Sequence, residues 1–550
     1  MIQHYLLNLE ATIKEKWDEP ALCFFQGEQF TFGQFAEHIA RFHLLFRENQ
    51  IAIGDKIALC AKNTARWAVS FLSVTTYGTV IVPILAEFHP DSVNNLVDHS
   101  DSVLLFTDKE IWNKLDPEKM PKLKAVINCD DFSLLFSRDK KLSADFAALD
   151  QSFAAAYPKG FSPADVKFFT EDLKALSIIN YTSGTTSDPK GVMLSYENVS
   201  ASVSFAHNKI PVPQGAKIVS MLPMAHIYGL VFEFLYPLSG GACIYFLGKS
   251  PAPSLLLKAM KTVKPYLVLT VPLVMEKIYK SSVKPALSKP AVKILSHIPG
   301  LRQIVFKKVR SSLDTAFGGN VQEYIMGGAA LNPEVEKCFH KIGLSYTVGY
   351  GMTEAAPLLA YAHPWEYAQG SCGKPVDCAE VKIDSENQFK VAGEILAKGA
   401  NICLGYYKNE EATANTLDSE GWYHTGDLGT MDADGNVFIK GRCKNMLLGA
   451  NGQNIYPEEI EDKLSNMSLV NECLVVQRGE KLVGLVYPDQ EQIATLGLSR
   501  NDIETIMEKN RQDINPTLPS YAQLSAIKIM DQEFEKTPKK SIRRFLYTQE

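Results

Sequence analysis

The string Tyr181-Thr-Ser-Gly-Thr-Thr-Ser-Asp-Pro-Lys-Gly191 constrains this chain more than any other feature, because it follows directly on an apolar, strand-like run at 175–180. Small residues around Gly184 let backbone N–H groups approach phosphate oxygens. The hydroxyls of Thr182, Ser183, Thr185 and Thr186 can donate to the same oxygens, and Lys190 adds a positive charge. The order Lys190-Gly191 is not the Gly-Lys-Ser/Thr of a Walker loop. A polyphosphate cradle at the end of a strand predicts a sheet whose strand ends open onto a ligand site.

The rest of the sequence alternates in the manner such a sheet requires. Residues 32–49 form an amphipathic helix pattern, 56–61 a buried strand, 66–76 a helix, 80–85 a strand, 92–99 a helix and 103–107 a strand. This repetition predicts a parallel α/β sheet with ligands at the carboxyl ends of its strands. The alternation resumes at Lys217 and continues through a strand at 268–270, a helix at 272–279 and a strand at 323–326, so two related sheets are expected. Between 373 and 439, short strands with Gly-rich turns predict a smaller, β-barrel-like subdomain. After Gly441 come a helix start at Pro457-Glu458-Glu459 and a strand–turn–strand over 472–487, enough for a small α+β domain. A chain of 550 residues exceeds one hydrophobic core, which stops growing at roughly 250 to 300 residues. The expected fold class is therefore α/β, with a large N-terminal domain over 1–441, made of two α/β subdomains and the β subdomain, and a small C-terminal domain over 442–550.

Composition removes several function classes. A net charge of −6 argues against nucleic acid as a partner, since a polyanion calls for a basic surface. Locally the balance reverses: residues 258–310 hold twelve Lys or Arg and one acidic residue, Glu276, interleaved with apolar runs such as 266–275. That stretch reads either as a solvated helical face or as a surface for an anionic membrane or phosphate. Ten scattered cysteines form no C-x-x-C pair and no cluster with His, so neither a zinc site nor a disulfide framework is indicated, and reduced thiols in a cytoplasmic protein are expected. The N-terminus lacks the pattern of a secretory signal. The most membrane-like stretch, 229–248, is broken by Glu233, Pro237 and Gly240-Gly241 and reads as buried core. Any membrane contact is expected to be peripheral.

Further motifs follow in order: Leu222-Pro-Met-Ala-His226, Gly327-Gly-Ala-Ala-Leu331, Gly349-Tyr-Gly-Met-Thr-Glu354, Tyr423-His-Thr-Gly-Asp427, and Gly441-Arg442 through Glu461. Together with the phosphate loop these six resemble the adenylate-forming superfamily of acyl-CoA synthetases, luciferases and peptide-synthetase adenylation domains, over nearly the whole chain. The resemblance implies that Tyr350, in the turn with Gly351 and Met352, lies against adenine, that Thr353 donates to the α-phosphate and that Glu354 holds magnesium, a hard cation suited to a carboxylate. It implies that Asp427 accepts from the ribose hydroxyls and that Arg442 contacts ribose or phosphate. Gly327, Gly328, Ala329 and Ala330 would form a small-residue wall beside the adenine. His226, which alone would read as a core histidine, would border the substrate carboxylate. The family rotates its small domain about a hinge two residues after the motif arginine, here Lys444, which implies a mobile C-terminal domain. The last motif resembles 535–544, but its usual lysine position holds Ser541, so Lys540, next to Lys539, is read as the residue that balances charge at the α-phosphate.

The reaction so implied uses ATP and magnesium. A carboxylate attacks the α-phosphorus, pyrophosphate leaves, and a thiol, expected to be that of coenzyme A, then displaces AMP. The apolar content of 222–246 and 270–279, similar to long-chain fatty acid ligases, points to a long-chain fatty acid as substrate. No acidic residue in a recognised position marks a pocket for an α-amino group. Two alternatives stay open. One is transfer to the phosphopantetheine of a separate acyl carrier protein; the other is a catalytically weakened nucleotide- or acyl-binding homologue, suggested by Ser541.

Overall fold

Runs with no polar face, such as Ile57–Cys60 and Leu104–Phe106, are buried on both sides and become interior strands of a parallel sheet. The computed structural model describes residues 2–182, 190–248, 253–296, 298, 300–448, 453–479, 481–536 and 542–548. Its first sheet runs, in spatial order, Leu134–Ser137, Ala125–Asn128, Ser102–Thr107, Lys56–Cys60, Val80–Pro83, Leu176–Thr182, Lys190–Ser195. The five inner strands are parallel and the two edges antiparallel.

The second sheet is built from Tyr346–Val348, Glu323–Met326, Leu267–Thr270, Lys217–Ser220, Cys243–Phe246, Pro20–Phe24 and Gln29–Thr31. All are parallel except the final hairpin. The alternation thus yields two sheets as expected, but the first strands of the chain belong to the second sheet. Helix Phe32–Glu48 starts directly from that hairpin through a capping box, with Thr31 Oγ1 accepting from Gln34 N–H at 3.2 Å and Gln34 Oε1 accepting from Thr31 N–H at 2.9 Å. The two layers share one core. Trp67 and Phe71 of helix Ala65–Thr75 stack at 5.5 Å, and both rings meet Phe234 edge-on at 6.4 and 5.9 Å.

The 229–248 stretch is interior, as read: a π-helical segment Gly229–Leu235, a short helix Tyr236–Ser239 and the strand Cys243–Phe246. Among the described residues no helix is long and apolar enough to cross a membrane. Within the apolar run at 266–275, Leu267–Thr270 is a buried inner strand and Met275 is buried, whereas Leu273 is exposed.

Two small antiparallel sheets follow, one of Tyr350–Gly351, Leu358–Tyr361 and Lys374–Pro375, the other of Ala379–Asp384, Gly393–Gly399, Tyr423–Met431 and Val437–Arg442. Beyond them, strands Val470–Arg478, Lys481–Pro488 and Leu524–Ile529 pack with helices Pro457–Leu464 and Arg500–Ile514 around a separate core that includes Leu464, Val475, Val486, Met507 and Ile514. This is the α+β unit anticipated for the end of the chain.

Candidate functional site

The motifs at 327–330 and 349–354 lie at the carboxyl ends of the second sheet. Neighbouring strand ends are stepped together there: Gly327 N–H donates to Thr270 C=O at 3.1 Å and Gly349 N–H to Met326 C=O at 2.8 Å. The motifs at 327–330 and 349–354 leave from those ends. A Cβ on Gly327 would lie 3.3 Å from the Tyr228 ring, whose hydroxyl donates to Ile325 C=O at 3.1 Å. This contact brings the Leu222–His226 motif beside the Gly327 wall. Gly328, Ala329 and Ala330 are exposed, and His226 is half-buried on a turn closed by its N–H to Pro223 C=O at 3.0 Å.

The turn at 349–354 needs glycine at 351, where a Cβ would fall 2.1 Å from the Pro357 carbonyl oxygen. Met352 N–H donates to that same carbonyl at 2.7 Å, which folds the chain back and buries Thr353. The two ends of the turn are tied to different elements. At one end the Tyr350 hydroxyl donates to Asp427 Oδ2 at 2.8 Å, and Arg442 Nε lies 3.0 Å from Asp427 Oδ1. Asp427 and Arg442 are direct cross-strand partners, so their pairing is set by sheet register. Burial pushes the Asp427 carboxyl above the usual carboxylate range, opposed by the Arg442 charge and the Tyr350 hydroxyl.

At the other end, Glu354 Oε1 accepts from the Tyr406 hydroxyl at 3.0 Å, and the hydroxyls of Tyr406 and Tyr423 lie 3.1 Å apart. Lys190 Nζ stands 5.1 Å from the centroid of the Tyr406 ring, within cation–π range. Burial and the Glu354 charge raise the Tyr406 pKa, so its proton stays on the phenol and can be donated. Lys190 and Thr182 are partners on the antiparallel strand pair whose loop carries Ser183, Gly184, Thr185 and Thr186. Those four lie outside the described residues, as do Lys539, Lys540 and Ser541. Lys444 is exposed on the turn Cys443–Asn445, directly after Arg442.

Sequence reading did not single out Tyr406. It is placed by backbone pairing: Leu404 N–H donates to Met193 C=O, Met193 N–H to Gly405 C=O and Tyr407 N–H to Gly191 C=O, at 2.8–2.9 Å. Buried Asn198 adds two donations, to the carbonyls of Ala400 and Ile402 at 2.8 and 2.7 Å. The doubled tyrosine after Gly405 was the one available signal, and it carries no charge or period that marks a site.

As to a metal, Glu354 Oε2 takes no hydrogen bond among the described residues, and no group of three or more acidic, His or Cys side chains that could hold an ion occurs among them. A single carboxylate with one oxygen available suits magnesium, which keeps most of its waters and shares phosphate oxygens, and does not suit a cage-bound ion.

Two α/β sheets, a small β unit and a compact α+β end, with motifs converging at strand ends, define the fold of the adenylate-forming enzymes. MatB from Rhodopseudomonas palustris with ATP bound is 20% identical and superposes with a TM-score of 0.75 over 98% of this chain and 99% of that one. The o-succinylbenzoate coenzyme A synthetase MenE from Bacillus subtilis, in complex with ATP and magnesium, gives 18% and 0.73 over 98% of each chain. The chain belongs to the AMP-binding enzyme family, whose model matches residues 9–407, with the AMP-binding enzyme C-terminal domain matching 444–550. Among relatives, rat long-chain-fatty-acid–CoA ligase 5 is 30% identical over 474 residues, covering 80% of this chain and 67% of that protein. Long-chain-fatty-acid–CoA ligase 1 of Saccharomyces cerevisiae is 28% identical over 566 residues, covering 92% and 78%.

Proposed function

We propose that this enzyme activates a long-chain fatty acid with ATP, forming acyl-AMP and pyrophosphate, and then transfers the acyl group to coenzyme A. The observation that carries the reading is the turn Tyr350–Glu354, bonded at one end to Asp427 and at the other to Tyr406, over whose ring Lys190 sits. It links a buried carboxylate for ribose hydroxyls, a half-buried carboxylate for a phosphate-bound cation and a lysine for phosphate charge, drawn from three separate segments.

In this reading Thr182 to Thr186 and Lys190 hold the phosphates, Thr353 donates to the α-phosphate and Glu354 holds magnesium. Bound there, the ion would neutralise phosphate charge and draw electrons from the α-phosphorus. Tyr350 and the wall 327–330 flank the adenine, Asp427 and Arg442 hold the ribose, and His226 borders the acid's carboxylate. Lys540 balances charge at the α-phosphate. The chain divides into 1–441 and 442–550, with Lys444 as the hinge that changes the site between the two half-reactions. No protein nucleophile is required: the acid's carboxylate oxygen bonds to the α-phosphorus as pyrophosphate leaves, and the thiol sulfur then bonds to the acyl carbon as AMP leaves.

The long acyl chain is supported by the names of the relatives and by the largely apolar stretch 229–246, in which Glu233 and Ser239 are the buried polar side chains. Such an acid partitions into bilayers, so the reading includes a cytoplasmic enzyme in peripheral contact with a membrane through 258–310. The test is AMP release with ATP, magnesium and coenzyme A across fatty acids of increasing length. Release that requires coenzyme A and grows with chain length is expected. Release only with a short or aromatic acid, or only with an acyl carrier protein as acceptor, overturns this assignment.

A further inference from the structure

The basic stretch carries an apolar ridge that its sequence did not reveal. Of the eighteen large apolar side chains exposed among the described residues, five fall within eleven positions: Ile294 at 65%, Leu295 at 38%, Ile298 at 42%, Leu301 at 39% and Ile304 at 64%. They span the end of helix Pro290–Leu295 and the start of helix Leu301–Ala316. The second helix is two-faced. Phe306, Val309 and Leu313 turn inward to the core behind the second sheet, while Leu301, Ile304, Lys308, Ser311 and Thr315, spaced three or four apart, remain outside.

Basic side chains border the ridge. Lys289, Lys307 and Lys308 are exposed and have no carboxylate within ion-pair distance among the described residues, and Arg302 lies 5.5 Å from the Phe306 ring centroid. Lys284 is paired with Glu334 at 3.1 Å, so not every cation of the stretch is available.

We propose that this ridge is a docking face for an anionic lipid bilayer, with Ile294, Leu295, Ile298, Leu301 and Ile304 entering the acyl boundary while Lys289, Lys307 and Lys308 meet lipid phosphates. Charge complementarity selects this occupant. A second copy of the chain would set two faces of the same sign against each other, and a nucleic acid would leave the isoleucines in water. An interfacial helix needs both an apolar edge and flanking lysines, and both are present. The ridge also joins the proposed acyl site: the chain runs through helical segments from Thr270, at the carboxyl edge of the second sheet, to Ile294. The docking face rests on the fatty-acid reading for its purpose, though its test does not.

The experiment is flotation of the full chain with vesicles of phosphatidylcholine alone or mixed with phosphatidylglycerol, without ATP, acid or coenzyme A. Binding to the mixed vesicles that falls with added salt is expected. Ile294→Glu with Ile304→Glu should weaken partitioning by at least about tenfold, and Lys307→Ala with Lys308→Ala by about tenfold. All four positions are exposed, so both variants should keep the parent melting curve and turnover of detergent-dispersed acid. Failure to float, equal binding to both vesicle types, or unimpaired flotation of the double Glu variant overturns the proposal. So does lysine-dependent capture of a purified acidic carrier protein that is indifferent to Ile294 and Ile304. Because flotation uses no substrate, an active ligase that does not float refutes the docking face alone, and a floating protein inactive on fatty acids refutes the function alone.

Discussion

Tyr406 ties together groups that are far apart in sequence, since its hydroxyl faces Glu354 and Tyr423 while its ring faces Lys190. Replacing it with Phe keeps the ring and removes the donor to Glu354. Outer-sphere partners of metal-binding groups typically change affinity 10- to 100-fold, so Tyr406→Phe should raise by roughly that factor the magnesium needed for half-maximal ATP–pyrophosphate exchange. Tyr406→Leu, which also removes the ring beneath Lys190, should be worse. For Asp427, replacement by Asn keeps the shape but removes the charge that Arg442 meets at 3.0 Å. Losing a charge-assisted acceptor costs about 2 kcal/mol, so ATP binding measured by calorimetry should weaken roughly thirtyfold. Asp427, Arg442 and Glu354 were legible in the sequence because each sits in a short string of small or polar residues that has no packing purpose. Tyr406 was not, because its position depends on pairing between 404–407 and 190–195, and nothing local in either segment announces the other.

At the scale of elements, the π-helical segment Gly229–Leu235 is held by Glu233, whose carboxylate accepts from Met221 N–H, Leu222 N–H and the Ser220 hydroxyl at 2.9–3.2 Å. This fastens the segment leading to His226. Full burial pushes the Glu233 carboxyl up to about 8. A carboxyl that binds its proton more tightly in the folded state than in the unfolded one favours folding most at low pH, and the advantage is lost as pH rises through the folded value. Wild-type stability should therefore fall between about pH 4.5 and 8, by up to a few kcal/mol, relative to Glu233→Gln, in which the dependence flattens; thermal melts of both proteins across that range check it. The inner strands were readable from their two-sided apolar runs, and the helices from period and caps. The hairpin Pro20–Thr31 was not, since its first strand is short, begins with proline and finds its partner only at Cys243–Phe246.

At the scale of the whole molecule, the end of the chain is anchored at Arg544. Arg544 Nη2 meets both oxygens of Glu461, at 2.8 and 2.6 Å, and Arg544 Nη1 donates to Val475 C=O at 2.9 Å. Glu461 is half-buried, with 15% of its side chain exposed, and its partial burial raises its carboxyl against the pull of Arg544. Removing the guanidinium leaves the half-buried Glu461 charge with only the Val475 N–H to meet it among the described residues, so Arg544→Ala should destabilise the C-terminal unit by about 2 kcal/mol at neutral pH, with partial recovery as acid protonates Glu461; urea unfolding at two pH values reads both effects. The bridge between Lys536 and Ile542 and the bond from Arg543 N–H to Glu535 C=O bring together the flanks of Lys539 and Lys540. Loosening Arg544 should therefore also slow adenylation, measured as pyrophosphate exchange, if Lys540 serves that step.

The placement of the first hairpin in the second sheet has a consequence for biosynthesis. Cys23 and Cys243 sit side by side on paired strands, 220 positions apart in sequence. On a ribosome adding about 5 to 20 residues each second, the strand Pro20–Phe24 emerges some 10 to 40 seconds before the edge it must join exists. Until then its backbone donors and acceptors are an open template. The nascent chain must shield that hairpin, through the adjoining helix Phe32–Glu48 or through a chaperone, for as long as it takes to translate the whole of the first sheet.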